Sequence, residues 1–110
     1  MNLLNKKCKA CEGYESPFKL KEIMEYLEQI KNWNLSEDGK EIEKEFQFDN
    51  FKEAIDFINK IAEIAESEGH HPDIFLYNYK NVKVTLSTHK IKGLSENDFI
   101  MAAKIDCIFK

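Results

Sequence analysis

His70, His71 and His89 are the only histidines of the chain, and they fall within twenty residues of one another. Imidazole titrates close to neutrality, which suits it to giving and taking protons and to holding metals more than to filling a core. His70 and His71 follow Gly69 and precede Pro72. The proline ring fixes its own φ and restricts His71 to an extended conformation, so this turn sends two imidazoles in a defined direction. At the carbonyl end of a helix a protonated imidazole gains a few tenths of a kcal/mol, up to about 2 in partly buried geometries. Glu66 stands four residues before His70, one helical turn away, where it could orient His70 or stabilise its charge; a solvated helix glutamate is an equal alternative. Asp98 could orient His89, but three residues after Ser95 it also fits the acid of a capping box, and that structural place is the stronger. Each histidine alone fits a surface or cap position. Together they indicate a shared acid–base site.

The elements that must position these groups follow from periodicity. Leu20, Ile23, Met24, Leu27 and Ile30 form the stripe of an amphipathic helix. Trp33 and Leu35 alternate with polar residues, Asp38-Gly39 marks a hairpin turn, and Ile42, Phe46 and Phe48 then share one face of a half-buried strand. Lys44 interrupts that face, as expected near a sheet edge. Asn50 with Glu53 opens a second helix striped by Phe51, Ala54, Ile55, Ile58, Ile61, Ala62 and Ala65, and Gly69 is placed to end it. Strands at about 74–79 and 82–89 follow, joined at Lys80-Asn81; Val82, Val84 and Leu86 point one way, Lys83, Thr85, Ser87 and His89 the other. Ser95 begins a last helix that is apolar nearly all round. The order helix, strand, strand, helix, strand, strand, helix predicts an α+β domain with a four-stranded antiparallel sheet and three helices on one face.

The 110 residues suffice for one compact domain, with residues 1–18 expected as a loose extension. A composition of 43% hydrophobic and 33% charged residues is that of a globular chain, and the net charge of −4 argues against direct nucleic-acid binding. No apolar run is long enough to span a membrane, and the lysine-bearing first ten residues lack the core of a signal peptide, so the cytoplasm is expected. Cys8-x-x-Cys11 has metal or redox spacing, but no second ligand pair accompanies it and a reduced pair in the leader is the simpler reading. Cys107 is expected as a small buried hydrophobe.

Glu66, three residues, His70-His71-Pro72, six residues, Tyr79, nine residues, His89, eight residues and Asp98 make a pattern of seven fixed residues. It closely resembles the signature of the pterin-4a-carbinolamine dehydratase family, and the resemblance extends from about Leu20 to the C-terminus. It implies the same α+β architecture and a reaction in which a 4a-hydroxytetrahydropterin loses water to give the quinonoid dihydropterin, with no metal or other cofactor. On this resemblance His70, His71 and His89 are the active-site histidines, His70 and His89 moving protons while His71 binds or polarises the ring. Ser87-Thr88-His89 matches the family's substrate strand, whose backbone would bind the polar edge of the pterin. Trp33 matches a tryptophan ahead of the first strand and fits either the pocket wall or the core. Gly69 and Lys90 stand where vertebrate members carry acidic residues, which bears on substrate preference.

Two other readings compete. Three histidines and Asp98 could mimic a zinc or iron centre, although adjacent histidines ligate one ion only with strain. The apolar last helix is expected to build a homodimer or homotetramer. Through that helix the chain could also serve as a binding module, as animal members of the family do as dimerisation partners of a homeodomain transcription factor.

Overall fold

The computed structural model describes residues 2–10 and 13–109. After a single 3-10 turn at Leu3–Asn5 come α1 (Leu20–Leu27), β1 (Asn34–Leu35), β2 (Ile42–Gln47), α2 (Phe51–Glu68), β3 (Asp73–Tyr77), β4 (Asn81–Leu86), a 3-10 turn at His89–Ile91, and α3 (Glu96–Ile108). The four strands form one antiparallel sheet in the order β1-β2-β4-β3. The expected α+β class and element order are those observed.

Alternation does in the sheet what the pattern requires. Ile42 and Phe46 of β2 and Val82, Val84 and Leu86 of β4 are buried, while Glu43, Glu45, Lys83 and Thr85 face away from the core. Lys44 lies on the buried side, just beyond the two residues of β2 that β1 covers. Its ammonium is bound by Asp106 Oδ1 at 2.8 Å and the Lys31 carbonyl at 2.9 Å. Both expected strands in the second half are shorter than their sequence suggests. β3 stops at Tyr77 because Asn78 and Tyr79 adopt positive φ in the turn, and β4 stops at Leu86, short of His89.

In α2, Asn50 accepts the Glu53 N–H at 2.9 Å, and the buried stripe is Ala54, Phe57, Ile61 and Ala65. It is rotated from the expected one: Phe57 enters the core against Phe46, while Phe51 stays exposed. In α1, likewise, Ile23 is buried but Leu20 and Met24 are exposed.

α3 contributes heavily to the core. Phe99, Ile100, Met101, Ala102 and Ile105 are all buried within the chain. α3 packs against α1, α2, β4 and the Leu3–Asn5 turn, so much of its apolar girth is buried within the chain. Phe99 stacks with Phe18 and Tyr26 at ring-centroid distances of 6.2 and 5.1 Å. Cys107, expected buried, is exposed.

The leader supplies part of that cover through its described residues. Leu3 is buried, Lys6 pairs with Glu96, and the Cys8 N–H donates to Glu68 Oε1 at 2.8 Å. Burial pushes Glu68 upward, but the Cys8 N–H with Lys104 and Lys7 outweighs it and holds the carboxylate below its usual range. Glu96 is lowered chiefly by its bond to Lys6. Burial, helped by the charge of Glu68, pushes the Cys8 thiol up to about 12. Cys11 lies outside the described residues, and so does the expected pairing of Cys8 with it. Among the described residues no helix is long and apolar enough to cross a membrane.

Candidate functional site

Gly69 closes α2 in the left-handed conformation, φ 69°, where glycine is at least cost. Its N–H and that of His70 both donate to the Ala65 carbonyl, at 2.9 and 3.3 Å. The reversal turns His70 inward toward α3, where Nε2 lies 2.7 Å from Asp98 Oδ1. The carboxylate of Asp98 is fully buried. Its second oxygen accepts the Thr88 hydroxyl at 2.8 Å and the Ser95 N–H at 3.0 Å, and the Thr88 and Ser95 hydroxyls are themselves 2.7 Å apart. An ionised carboxylate only accepts, so the proton of a neutral His70 sits on Nε2 and leaves Nδ1 as the free base.

Two expected pairings are thereby exchanged. Asp98 does cap α3, but the histidine it orients is His70, not His89. Glu66 does not reach His70. Once Gly69 has turned the chain, His71 returns over the surface of α2, and its Nε2 meets Glu66 Oε2 at 2.6 Å. That second pair is open to solvent, with side chains 60% and 78% exposed against 12% and 0% for His70 and Asp98.

His89 lies beyond the sheet rather than on the polar face of β4. The backbones of Thr88 and Gly93 bridge, Thr88 N–H to Gly93 carbonyl at 2.8 Å, and the short helical turn His89–Ile91 lies inside that loop. Ile91 and Leu94 anchor it in the core. Gly93 packs so tightly against Pro17 that an added Cβ would lie 2.6 Å from the proline Cβ. The His89 ring makes no hydrogen bond among the described residues and is open to solvent.

All three histidines border one cavity of about 350 Å³, together with Gly69, Ser87, Thr88 and Lys90. Trp33 takes no part in it. It is buried with its ring edge toward Phe46, and its indole N–H donates to Asp106 Oδ2 at 3.0 Å. The rest of the cavity wall is Lys9 and Ala10 of the leader and Asn97 of α3. No motif marked these three. The available signal was indirect, since an all-apolar last helix needs cover and the leader is the nearest unassigned chain. With a buried His–Asp pair, a second histidine beside it and a third on a separate loop, the cavity can exchange protons with a flat polar ligand at more than one point.

A sequence model of the family described as pterin 4 alpha carbinolamine dehydratase matches residues 16–108. A relative from Halorhodospira halophila, provisionally named a pterin-4-alpha-carbinolamine dehydratase, is 44% identical over 109 residues, covering 98% of each chain. Another of the same provisional name, from Alkaliphilus metalliredigens, is 48% identical over 106 residues, covering 96% of this chain and 94% of its own. Among solved structures, a transcriptional coactivator/pterin dehydratase from Brucella melitensis superposes with a TM-score of 0.81 at 33% identity, covering 86% of this chain and all of that one. A pterin dehydratase-like RuBisCO assembly factor of the alpha-carboxysome shares the fold, with a TM-score of 0.59 at 23% identity over 69% of this chain and 87% of that one.

Proposed function

The chain belongs to the pterin-4a-carbinolamine dehydratase family, and on that premise we propose that it dehydrates a 4a-hydroxytetrahydropterin by histidine acid–base catalysis. The observation that carries this reading is the buried Asp98–His70 pair opening into a cavity shared with His71 and His89. The reaction is an elimination. A base takes the N5 proton, the N5 lone pair forms the N5=C4a double bond, the C4a–O bond breaks, and an acid delivers a proton so that hydroxide leaves as water. One proton is taken and one given, so no redox partner is required.

His70 is the base. The carboxylate beside Nε2 stabilises the imidazolium that forms when Nδ1 takes the proton, as a buried acid does for histidine in hydrolytic triads. His89, on the separate loop and reachable by water, is the acid and is reprotonated from solvent. Each transfer contributes on the order of 10²–10⁴ in rate. His71, tethered to Glu66 at the rim, binds the ring, and the backbone of Ser87 and Thr88 supplies polar contacts to its edge. The product is the quinonoid dihydropterin, the species to be reduced again in tetrahydrobiopterin recycling.

The test is the dehydration of synthetic 4a-hydroxytetrahydropterin followed by ultraviolet absorbance, for the wild type, His70→Ala and His89→Ala, with chelator present. Fast turnover lost in both variants supports the assignment. No acceleration over buffer by the wild type refutes it, and binding of a dihydropterin without turnover would leave a pterin-binding module.

A further inference from the structure

The leader side of the histidine cavity is built with more care than the elimination requires. The Asn97 side chain grips the backbone of Lys9 from both sides, Oδ1 accepting its N–H at 3.0 Å and Nδ2 donating to its carbonyl at 2.7 Å. Asn97 is itself only 9% exposed. The bond from Cys8 to Glu68 and the Lys6–Glu96 pair hold the preceding residues, so Lys9 cannot drift alone. Lys9, Ala10 and Asn97 also line a second cavity of about 200 Å³ beside Phe18, Ile91 and Ser95. The same stretch of chain therefore lines two cavities.

A volume of about 350 Å³ lies near the lower end of the range for small-molecule sites, about 300–1,000 Å³, which suits a bicyclic ring with a small substituent. In the substrate, C6 is bonded to N5, the atom whose proton is removed. A substituent on C6 must therefore leave the ring close to the histidines and meet whatever wall stands there.

We propose that Lys9–Ala10, fixed by Asn97, is a partition that limits the size of the C6 substituent, making Ala10 and Asn97 specificity-determining residues. The identity of the ring rests on the dehydratase reading; the partition itself does not.

Two variants act on the wall in opposite senses. Asn97→Ala removes both bonds that fix Lys9, whereas Ala10→Phe adds bulk at an exposed position of the leader. KM and kcat would be measured on 4a-hydroxytetrahydropterins bearing a 6-methyl or a long 6-arylaminomethyl group. In parallel, dissociation constants of the matching 7,8-dihydropterins would be read by fluorescence, with thermal unfolding as the check on folding. The ratio of KM for the long over the short substrate is expected to fall about tenfold in Asn97→Ala and to rise about as much in Ala10→Phe, the scale on which pockets discriminate by size. An unchanged ratio in both folded variants overturns the proposal. If Asn97→Ala does not fold, Ala10→Phe decides alone. Wild-type protein that binds dihydropterins without turnover refutes the dehydratase reading, and the ratio of dissociation constants then tests the partition. Wild-type protein that binds neither pterin overturns both.

Discussion

Replacing Asp98 by asparagine separates what this residue does for the fold from what it does for His70. The carboxylate receives three donors, the Thr88 hydroxyl and the Ser95 N–H on Oδ2 and the His70 imidazole on Oδ1. An asparagine places its single oxygen where two donors converge and so turns its amide toward His70. An amide N–H can only donate, so Nε2 must become an acceptor and the ring proton moves to Nδ1, the nitrogen assigned as base. Two of the three bonds survive and the third is reversed, so the stability loss should be about 1–2 kcal/mol, the scale of one weakened bond at a buried charge. Asp98→Ala, in contrast, orphans His70 and the Ser95 N–H, leaves the Thr88 hydroxyl only Ser95 Oγ, and should cost about 2–6 kcal/mol. The asparagine variant should therefore remain folded while kcat falls by about 10²–10⁴, the whole contribution of a positioned base. Stopped-flow absorbance gives the rate, urea unfolding gives the stability, and ¹⁵N shifts of the His70 ring report the tautomer directly. A folded asparagine variant that turns over within about threefold of the wild type would refute the assignment of Nδ1 as base.

Glu66→Gln should lower kcat by less than about fivefold, because an exposed pair contributes little; a loss as large as that of Asp98→Asn in the dehydration assay would reverse the ranking of the two pairs. Gly93→Ala drives a methyl into Pro17 and should cost about 1–3 kcal/mol in urea unfolding, as overpacking does, with kcat falling because the His89 loop moves; wild-type values for both would show that the contact yields freely. Glu68 is held below its usual value of 4.5, so its contribution to stability is complete above that pH and is lost as pH falls through the depressed value. Wild type should accordingly lose stability faster than Glu68→Gln on acidification below 4.5, and equal slopes for the two proteins would contradict the assigned clamp.

How much of this was legible in the sequence varies with the range of the interaction involved. Apolar alternation in β2 and β4, the Asn50 cap, the Gly69 stop and the Ser95 start are local signals, and each element they mark is present. The strand ends were less readable, because Asn78, Tyr79 and the Thr88–Gly93 bridge act through turn geometry that hydrophobic periodicity does not carry. The three histidines were recognisable by type and spacing, and they do share one cavity. Their partners were not. Helical spacing places Glu66 beside His70 only if the helix continues, and the left-handed residue at Gly69 breaks that assumption one position before it matters. The place of Trp33 depended on Asp106, seventy-three residues away, with which it shares no local pattern.

The most instructive element is α3. A helix apolar on every side can satisfy that character against a second copy or against its own chain, and composition alone does not distinguish the two. Here part of the cover is a leader whose lysines and cysteines look like those of a solvated tail. Its attachment is mainly polar: Glu68 holds Cys8, Glu96 holds Lys6 and Asn97 holds Lys9, with Leu3 a buried apolar anchor among the described residues. Contacts of that kind leave no hydrophobic period in the sequence, yet they place residues 9 and 10 at the rim of the histidine cavity. Asp98 joins the two requirements from the next position along the helix, since the carboxylate that caps α3 also lies against Nε2 of His70. The same turn of α3 therefore holds both the proposed wall and the proposed base, and a substitution that moves this turn should alter substrate size preference and proton transfer together.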